Sequence, residues 1–170
     1  VIPSDKSVSH RSAMFAALTG GVVEVKNFSM GADCLSTLNI VKTLGCDVEF
    51  LADKHIKIDA SNALKKDIYK LDCGNSGTSM RLFSGIMASY ETETTLFGDE
   101  SLSNRPMKRV ILPLELMGAK IKHHNFKAPL VIQGKELFPI DYKSPIASAQ
   151  VKSCVLLAGL NTCGVTKVTE

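Results

Sequence analysis

The chain has 170 residues, 45% apolar and 22% charged, with a mean hydropathy of +0.10, which fits a folded domain with a sizeable core and excludes disorder. No apolar run reaches the ~18 residues of a membrane helix, and no signal-peptide pattern opens the sequence. A net charge of +3, few aromatics (6%) and no Trp argue against a nucleic-acid binder and suit a small anionic ligand. Cys34, Cys46, Cys73, Cys154 and Cys163 include no CxxC pair, so neither a disulfide framework nor a zinc site is expected, and a reducing cytoplasm is.

In chain order, Pro3-Ser4-Asp5-Lys6-Ser7-Val8-Ser9-His10-Arg11 leads into an apolar helix and a strand-like VVEVKN (22–27). Leu35, Leu38, Val41 and Leu44 fall on one helical face, and Gly45 is suited to the left-handed position after that helix. Residues 47–60 read as a hairpin and 68–74 as a strand. Asp72-Cys73-Gly74-Asn75-Ser76-Gly77-Thr78-Ser79-Met80-Arg81 is a tight turn into a helix opened by Gly77, followed by the strand TTLFGD (94–99). A polar loop, 98–106, precedes a helix for which Arg105 is the expected N-cap and Pro106 a suitable start, with Gly118 at its end and Pro113 inside it, where it should kink the helix or cost about 3 kcal/mol. A second hairpin (119–134) and a strand (137–143) follow. The third helix start is Ser144-Pro145-Ile146-Ala147-Ser148-Ala149-Gln150-Val151-Lys152, and VTKVTE (165–170) closes the sequence.

These elements repeat. Arg11, Arg81 and Lys152 are 70 and 71 residues apart, and Gly45 and Gly118 are 73 apart. The deduced unit is β-α-β-α-β-β in an α/β fold, with unit one over 1–61, unit two over 62–135 and an incomplete unit three over 136–170. At about 71 residues per unit, 170 residues hold about 2.4 units. The sequence therefore reads as part of a longer protein, and its start at Val1 suggests that residues upstream were removed.

A helix N-terminus offers unpaired N–H groups and about half a positive charge, so a nearby Lys or Arg makes an anion site. Ser7 and Arg11, four residues apart, share a helix face. Arg can grip a carboxylate with two parallel bonds, whereas Lys acts as a point charge. Arg105 at an N-cap would oppose the helix dipole, a conflict that an anionic ligand relieves. Ser148 can cap its helix or donate to a phosphate, and Gln150 can donate to an oxyanion. The glycines near 74–77 match neither the Walker A nor the Rossmann pattern. His55 and His123-His124 read as surface residues, and no metal-ligand spacing is present.

Four motifs, P-S-D-K-S-V-S-H-R (3–11), D-C-G-N-S-G-T-S-M-R (72–81), G-D-E-S-L-S-N-R-P-M (98–107) and I-A-S-A-Q-V-K-S (146–153), together resemble the 5-enolpyruvylshikimate-3-phosphate synthases, or 3-phosphoshikimate 1-carboxyvinyltransferases, along nearly the whole chain. The resemblance implies an inside-out α/β barrel of six such units in two domains, with the active site between them. This chain would be most of the N-terminal domain, without the C-terminal one. The implied reaction moves the enolpyruvyl group of phosphoenolpyruvate to the 5-hydroxyl of shikimate 3-phosphate and releases phosphate, towards chorismate and the aromatic amino acids. It needs no metal or organic cofactor.

The resemblance also implies roles. Lys6, the catalytic residue, contacts phosphoenolpyruvate near the reacting hydroxyl. Ser7 and Arg11 hold the shikimate carboxylate. Gly77 and Arg105 hold the phosphoenolpyruvate phosphate, Ser148 holds the 3-phosphate, and Gln150 lies between the substrates. Asn75, Thr78 and Arg81 support them. Ala149 departs from the second serine of many relatives and removes one phosphate donor. Gly77 is expected to leave room for the phosphonate inhibitor glyphosate. The full-length protein is expected to be a cytoplasmic monomer, and the 170-residue chain alone is expected to lack turnover because key acidic residues belong to the other domain. The rivals are UDP-N-acetylglucosamine enolpyruvyl transferase, disfavoured because Lys6 is followed by Ser7 rather than Asn, and a non-catalytic anion-binding module of the same fold.

Overall fold

A computed structural model describes residues 3–170. Helix α1 (Lys6–Leu18) starts because the Asp5 carboxylate accepts the Val8 N–H at 2.7 Å, and its inner face is Ser9, His10, Ala13, Met14, Ala16 and Ala17. Strand β1 (Val22–Val25) leads to α2 (Ala32–Thr43), which buries Leu38 and Val41 as the three-residue spacing predicts. Gly45 follows at φ +103°, and Gly118 takes the corresponding place at φ +95°. Only glycine adopts these angles cheaply, so both helices stop there and turn into strands.

The hairpins form as read: β2 (Asp47–Ala52) with β3 (His55–Asp59), and β6 (Lys120–His124) with β7 (Lys127–Gln133). Between them run β4 (Ile68–Asp72), α3 (Gly77–Ala88), β5 (Glu93–Phe97), α4 (Glu100–Ser103) and α5 (Lys108–Leu116). The chain ends with β8 (Asp141–Lys143), α6 (Ala149–Gly159) and β9 (Lys167–Thr169).

The sheets carry the repeat. Their strand orders are β1-β3-β2, β4-β5-β7-β6 and β8-β9. β4 and β5 run parallel, as do β8 and β9, while β5-β7-β6 and β1-β3-β2 are antiparallel with equivalent connections. Strands β4 and β5 bury alternate residues, Tyr69 and Leu71 in one and Thr94 and Leu96 in the other, so one face of each looks onto helices.

Three expectations need correction. Residues 98–106 are not all loop, because Asp99 caps the short helix α4. Arg105 therefore lies between two helices, and the N-cap of α5 is Met107. The strand expected over 137–143 shortens to β8, since Pro139 has no N–H to give a ladder. Helix α5 continues through the buried Pro113.

Helix α3 is the centre of the domain. All its residues except Thr78 and Arg81 are buried, and both of these sit near its N-terminus. Its far half meets α6 backbone to backbone, because a Cβ at Gly85 would overlap the Cys154 carbonyl oxygen and stand 3.1 Å from Cys154 Sγ. That close approach sets where the N-terminus of α6 lies relative to α3. Gly85→Ala should force the helices apart and cost about 1–3 kcal/mol of overpacking, measured as a lower urea midpoint. An unchanged midpoint would show that the contact is not tight.

Candidate functional site

Helix α3 starts at the end of β4. The Asp72 carboxylate accepts the Gly74 N–H at 2.8 Å, and Gly74 turns the chain at φ +54°. Ser76 is the N-cap, its Oγ accepting the Ser79 N–H at 3.1 Å. The N–H groups of Gly77 and Thr78 make no hydrogen bond among the described residues. They are the unsatisfied donors that a helix start always presents.

Two guanidinium groups converge on this point. A Cβ on Gly77 would lie 2.7 Å from Nη1 of Arg81 and 3.4 Å from Nη1 of Arg105. The space beside Gly77 is thus the space its neighbouring cations need. Arg81 lies in the second turn of α3, yet its side chain reaches back over the start, as helical side chains do. Burial, and then repulsion from Arg105 and Arg109, lowers its pKa, although a guanidinium stays charged. Arg81 Nη1 donates to the neutral Gln150 Oε1 at 2.9 Å. Arg105 Nη2 donates to Asn75 Oδ1 at 2.7 Å, and Asn75 Nδ2 to Asp99 at 2.6 Å. That bond, followed by the Leu102 N–H, holds the Asp99 carboxyl below its usual range. Among the described residues, neither arginine forms an ion pair.

The other helix starts are tied to this one. Gln150, in the first turn of α6, donates from Nε2 to Thr78 Oγ1 at 2.9 Å while accepting from Arg81. Arg11 Nη2 donates to Ser153 Oγ at 3.3 Å, joining α1 to α6. His10 joins α1 to α2 through Thr37 Oγ1 at 2.6 Å, and Thr37 reaches Ser79 of α3 at 2.8 Å. The ring is closed: α1 to α6, α6 to α3, and α3 through α2 back to α1. Between α1 and α6 a cavity of about 160 Å³ opens below Arg11 and Ser153. Met14, Phe15, Leu82, Leu156 and Leu160 line it, so it is too apolar for an anion.

Asn75, Gly77, Thr78, Arg81, Arg105 and Gln150 therefore form one cluster, with Arg11 one helical turn along α6 from Gln150 through Ser153. Ser7 lies on the exposed first turn of α1, one turn before Arg11. The Lys6 ammonium is paired with the Asp33 carboxylate at the start of α2. Ser148 caps α6, its Oγ accepting from the Val151 N–H at 3.4 Å. The Ser148 N–H donates to Glu170 Oε1 at 3.0 Å, and Lys152 pairs with Glu170 Oε2 at 2.7 Å. Lys152, the third cation of the repeat, is thus neutralised, and a carboxylate already occupies that helix start. The Lys152 bond, then the Ser148 N–H, keeps the Glu170 carboxyl below its ordinary range. Asp33 and Glu170 carry no local motif that would have singled them out, and Ser153 closes the 146–153 motif without a role read from it. Their roles depend on partners 27, 22 and 142 residues away.

The family model described as EPSP synthase (3-phosphoshikimate 1-carboxyvinyltransferase) matches residues 1–170. The chain belongs to the EPSP synthase family. Relatives named 3-phosphoshikimate 1-carboxyvinyltransferase include those of Koribacter versatilis, 49% identical over 169 residues, and Bacillus subtilis, 51% identical over 172. Each alignment covers 99% of this chain and 40% of the relative. A solved EPSP synthase structure from Acinetobacter baumannii aligns with a TM-score of 0.93 and 44% identity, over all of this chain and 39% of that one. The chain thus spans about two fifths of the length of these EPSP synthases.

The Glu170 carboxylate competes with any anion for the α6 start. Glu170→Gln should remove the repulsion and strengthen binding of inorganic phosphate, as a probe anion, at that helix start about tenfold, measured by calorimetric titration. Weaker binding in the variant would mean that Glu170 supports the site.

Proposed function

We propose that this chain supplies the N-terminal half of an active site that transfers the enolpyruvyl group of phosphoenolpyruvate to the 5-hydroxyl of shikimate 3-phosphate, releasing phosphate. The observation that carries the reading is the meeting of Arg81, Arg105 and two bare N–H groups at Gly77. Two cations and a helix start in one place leave a concentration of positive charge, and a phosphate group neutralises it. Family membership and the names of the relatives favour the shikimate substrate over a UDP-sugar and favour an enzyme over a passive anion-binding module.

Under this reading the phosphoenolpyruvate phosphate sits against Gly77 and Arg105, with Thr78 and Arg81 in support. Asn75 spaces Arg105 from the Asp99 carboxylate, so the arginine keeps its charge available. Gln150, held at both ends of its amide, lies between the two substrates. Arg11 and Ser7 take the shikimate carboxylate, and Ser148 takes the 3-phosphate once Glu170 turns away. Lys6 leaves Asp33 to meet phosphoenolpyruvate near the reacting hydroxyl. Catalysis then rests on orientation, charge stabilisation and proton transfer, with no metal or organic cofactor. The chain makes up the first two units and the start of the third in the N-terminal domain of a cytoplasmic, monomeric enzyme.

Phosphoenolpyruvate should bind the chain, and Arg105→Ala should weaken that binding about ten- to hundredfold by removing a charge-assisted contact. Gly77→Ala should weaken phosphoenolpyruvate and glyphosate together, because its Cβ displaces the Arg81 guanidinium. Calorimetric titration reads both effects, and unchanged affinities would refute the subsite. Phosphate release by the 170-residue chain should be undetectable, whereas a chain extended by the second domain should turn over. Full rates from the shorter chain would overturn the division of the site between two halves.

A further inference from the structure

His10 ends a chain of hydroxyl groups whose direction is decided at the other end. Ser76, as N-cap, accepts: its Oγ takes the Ser79 N–H at 3.1 Å and the Ser79 O–H at 2.8 Å. A serine has one hydroxyl proton. Spent on Ser76, it leaves Ser79 Oγ as the acceptor in its 2.8 Å contact with Thr37. The Thr37 proton therefore points to Ser79, the 3.4 Å approach to the Asp33 carbonyl being the longer alternative. At 2.6 Å from Thr37 Oγ1, the only role left for His10 Nδ1 is donor. The other nitrogen is independent evidence: Nε2 is buried and has no hydrogen-bond partner among the described residues. A lone pair there is less costly than a stranded N–H, and a proton on both nitrogens would be worse.

We infer that His10 is a positioning residue for the anion subsite at Gly77: as a neutral Nδ1–H donor it holds the Thr37–Ser79–Ser76 hydroxyl chain in one direction, so that Ser76 stays on the Ser79 N–H and the two preceding N–H groups stay free. It never touches the ligand. What the fold needs is a fixed donor at the Nδ1 position rather than a group that titrates. An asparagine amide can supply that donor, and a leucine cannot. The binding consequence rests on the phosphate reading of Gly77, but the direction of the chain does not.

The environment agrees. Burial lowers the His10 pKa, Lys6 and Arg11 on its own helix lower it further, and only Asp33 of α2 raises it. A folded pKa below the ordinary 6.5 means that the unfolded chain takes up a proton first as pH falls. Stability is therefore full above that value and declines as pH drops through it towards the folded pKa.

Long-range proton–nitrogen NMR on the ¹⁵N-histidine-labelled chain at pH 7 tests the assignment. His10 should show a protonated Nδ1 and a bare Nε2; the opposite tautomer, or an imidazolium, would overturn the inference. In phosphoenolpyruvate titrations, His10→Asn should bind within about twofold of the parent and His10→Leu about tenfold more weakly. Equal losses in both variants, or none in either, would refute the positioning role. His10→Asn should also lose the decline in urea midpoint below pH 6.5, and an unaltered decline would contradict a neutral buried ring. If the parent chain binds no phosphoenolpyruvate, the subsite and the positioning role fall together, while the NMR tautomer still decides the direction of the hydroxyl chain.

Discussion

Two like charges are held at the tip of one buried helix, and the rest of the site is arranged around that fact. The Nη1 atoms of Arg81 and Arg105 lie within about 6 Å of each other over Gly77, a repulsion of about 3 kcal/mol at an effective dielectric constant of 20 before salt screening. Among the described residues no ion pair relieves it. Gln150 and Asn75 orient the two groups but are neutral, and the nearest carboxylate in the chain of contacts, Asp99, is one side chain removed. The α3 dipole adds more positive potential at the same place. The fold accepts an electrostatic cost that a phosphate bound there, as proposed, would offset.

Holding that arrangement requires the helices to be stiffly joined. α3 is buried almost all round, and Gly85 lets α6 approach it closely enough for Gln150 to reach Thr78 and Arg81. On the other side, Ser76, Ser79 and Thr37 form a buried polar thread to His10. A buried thread of this kind favours one direction, because its reversal strands a buried donor. The two sides differ in character: one is steric closeness between backbones, the other a matter of which oxygen holds which proton. Both converge on the first turn of α3, where two amide groups are left over.

Much of this was legible in the chain. The seventy-residue spacing, the glycines at 45 and 118 and the alternating strands pointed to the repeated unit, because these are local demands: a left-handed residue, a helical stripe, a pleat. The helix starts carrying Lys6, Gly77 and Ser148 were visible for the same reason. The place of Arg105 was misread, since Asp99 caps the four residues after it, Glu100–Ser103, as α4, and the next N-cap falls at Met107. That Pro139 interrupts the expected strand could have been foreseen, since proline has no N–H to give; that the Phe138 N–H goes to the Met117 carbonyl could not.

The pairing of charges could not. Lys6 and Lys152 look alike as helix-start cations, yet each is matched to a carboxylate, Asp33 or Glu170, while Arg81 and Arg105 are matched to amides. A sequence lists charges without saying which lie within a few ångströms, and Coulomb energy depends on that separation. By itself the sequence determined the unit, the helix starts and the residue types able to hold anions, since periodicity and capping act over a few neighbours. Only the tertiary structure decided which cations stay unneutralised, because that depends on contacts between helices set by long-range packing.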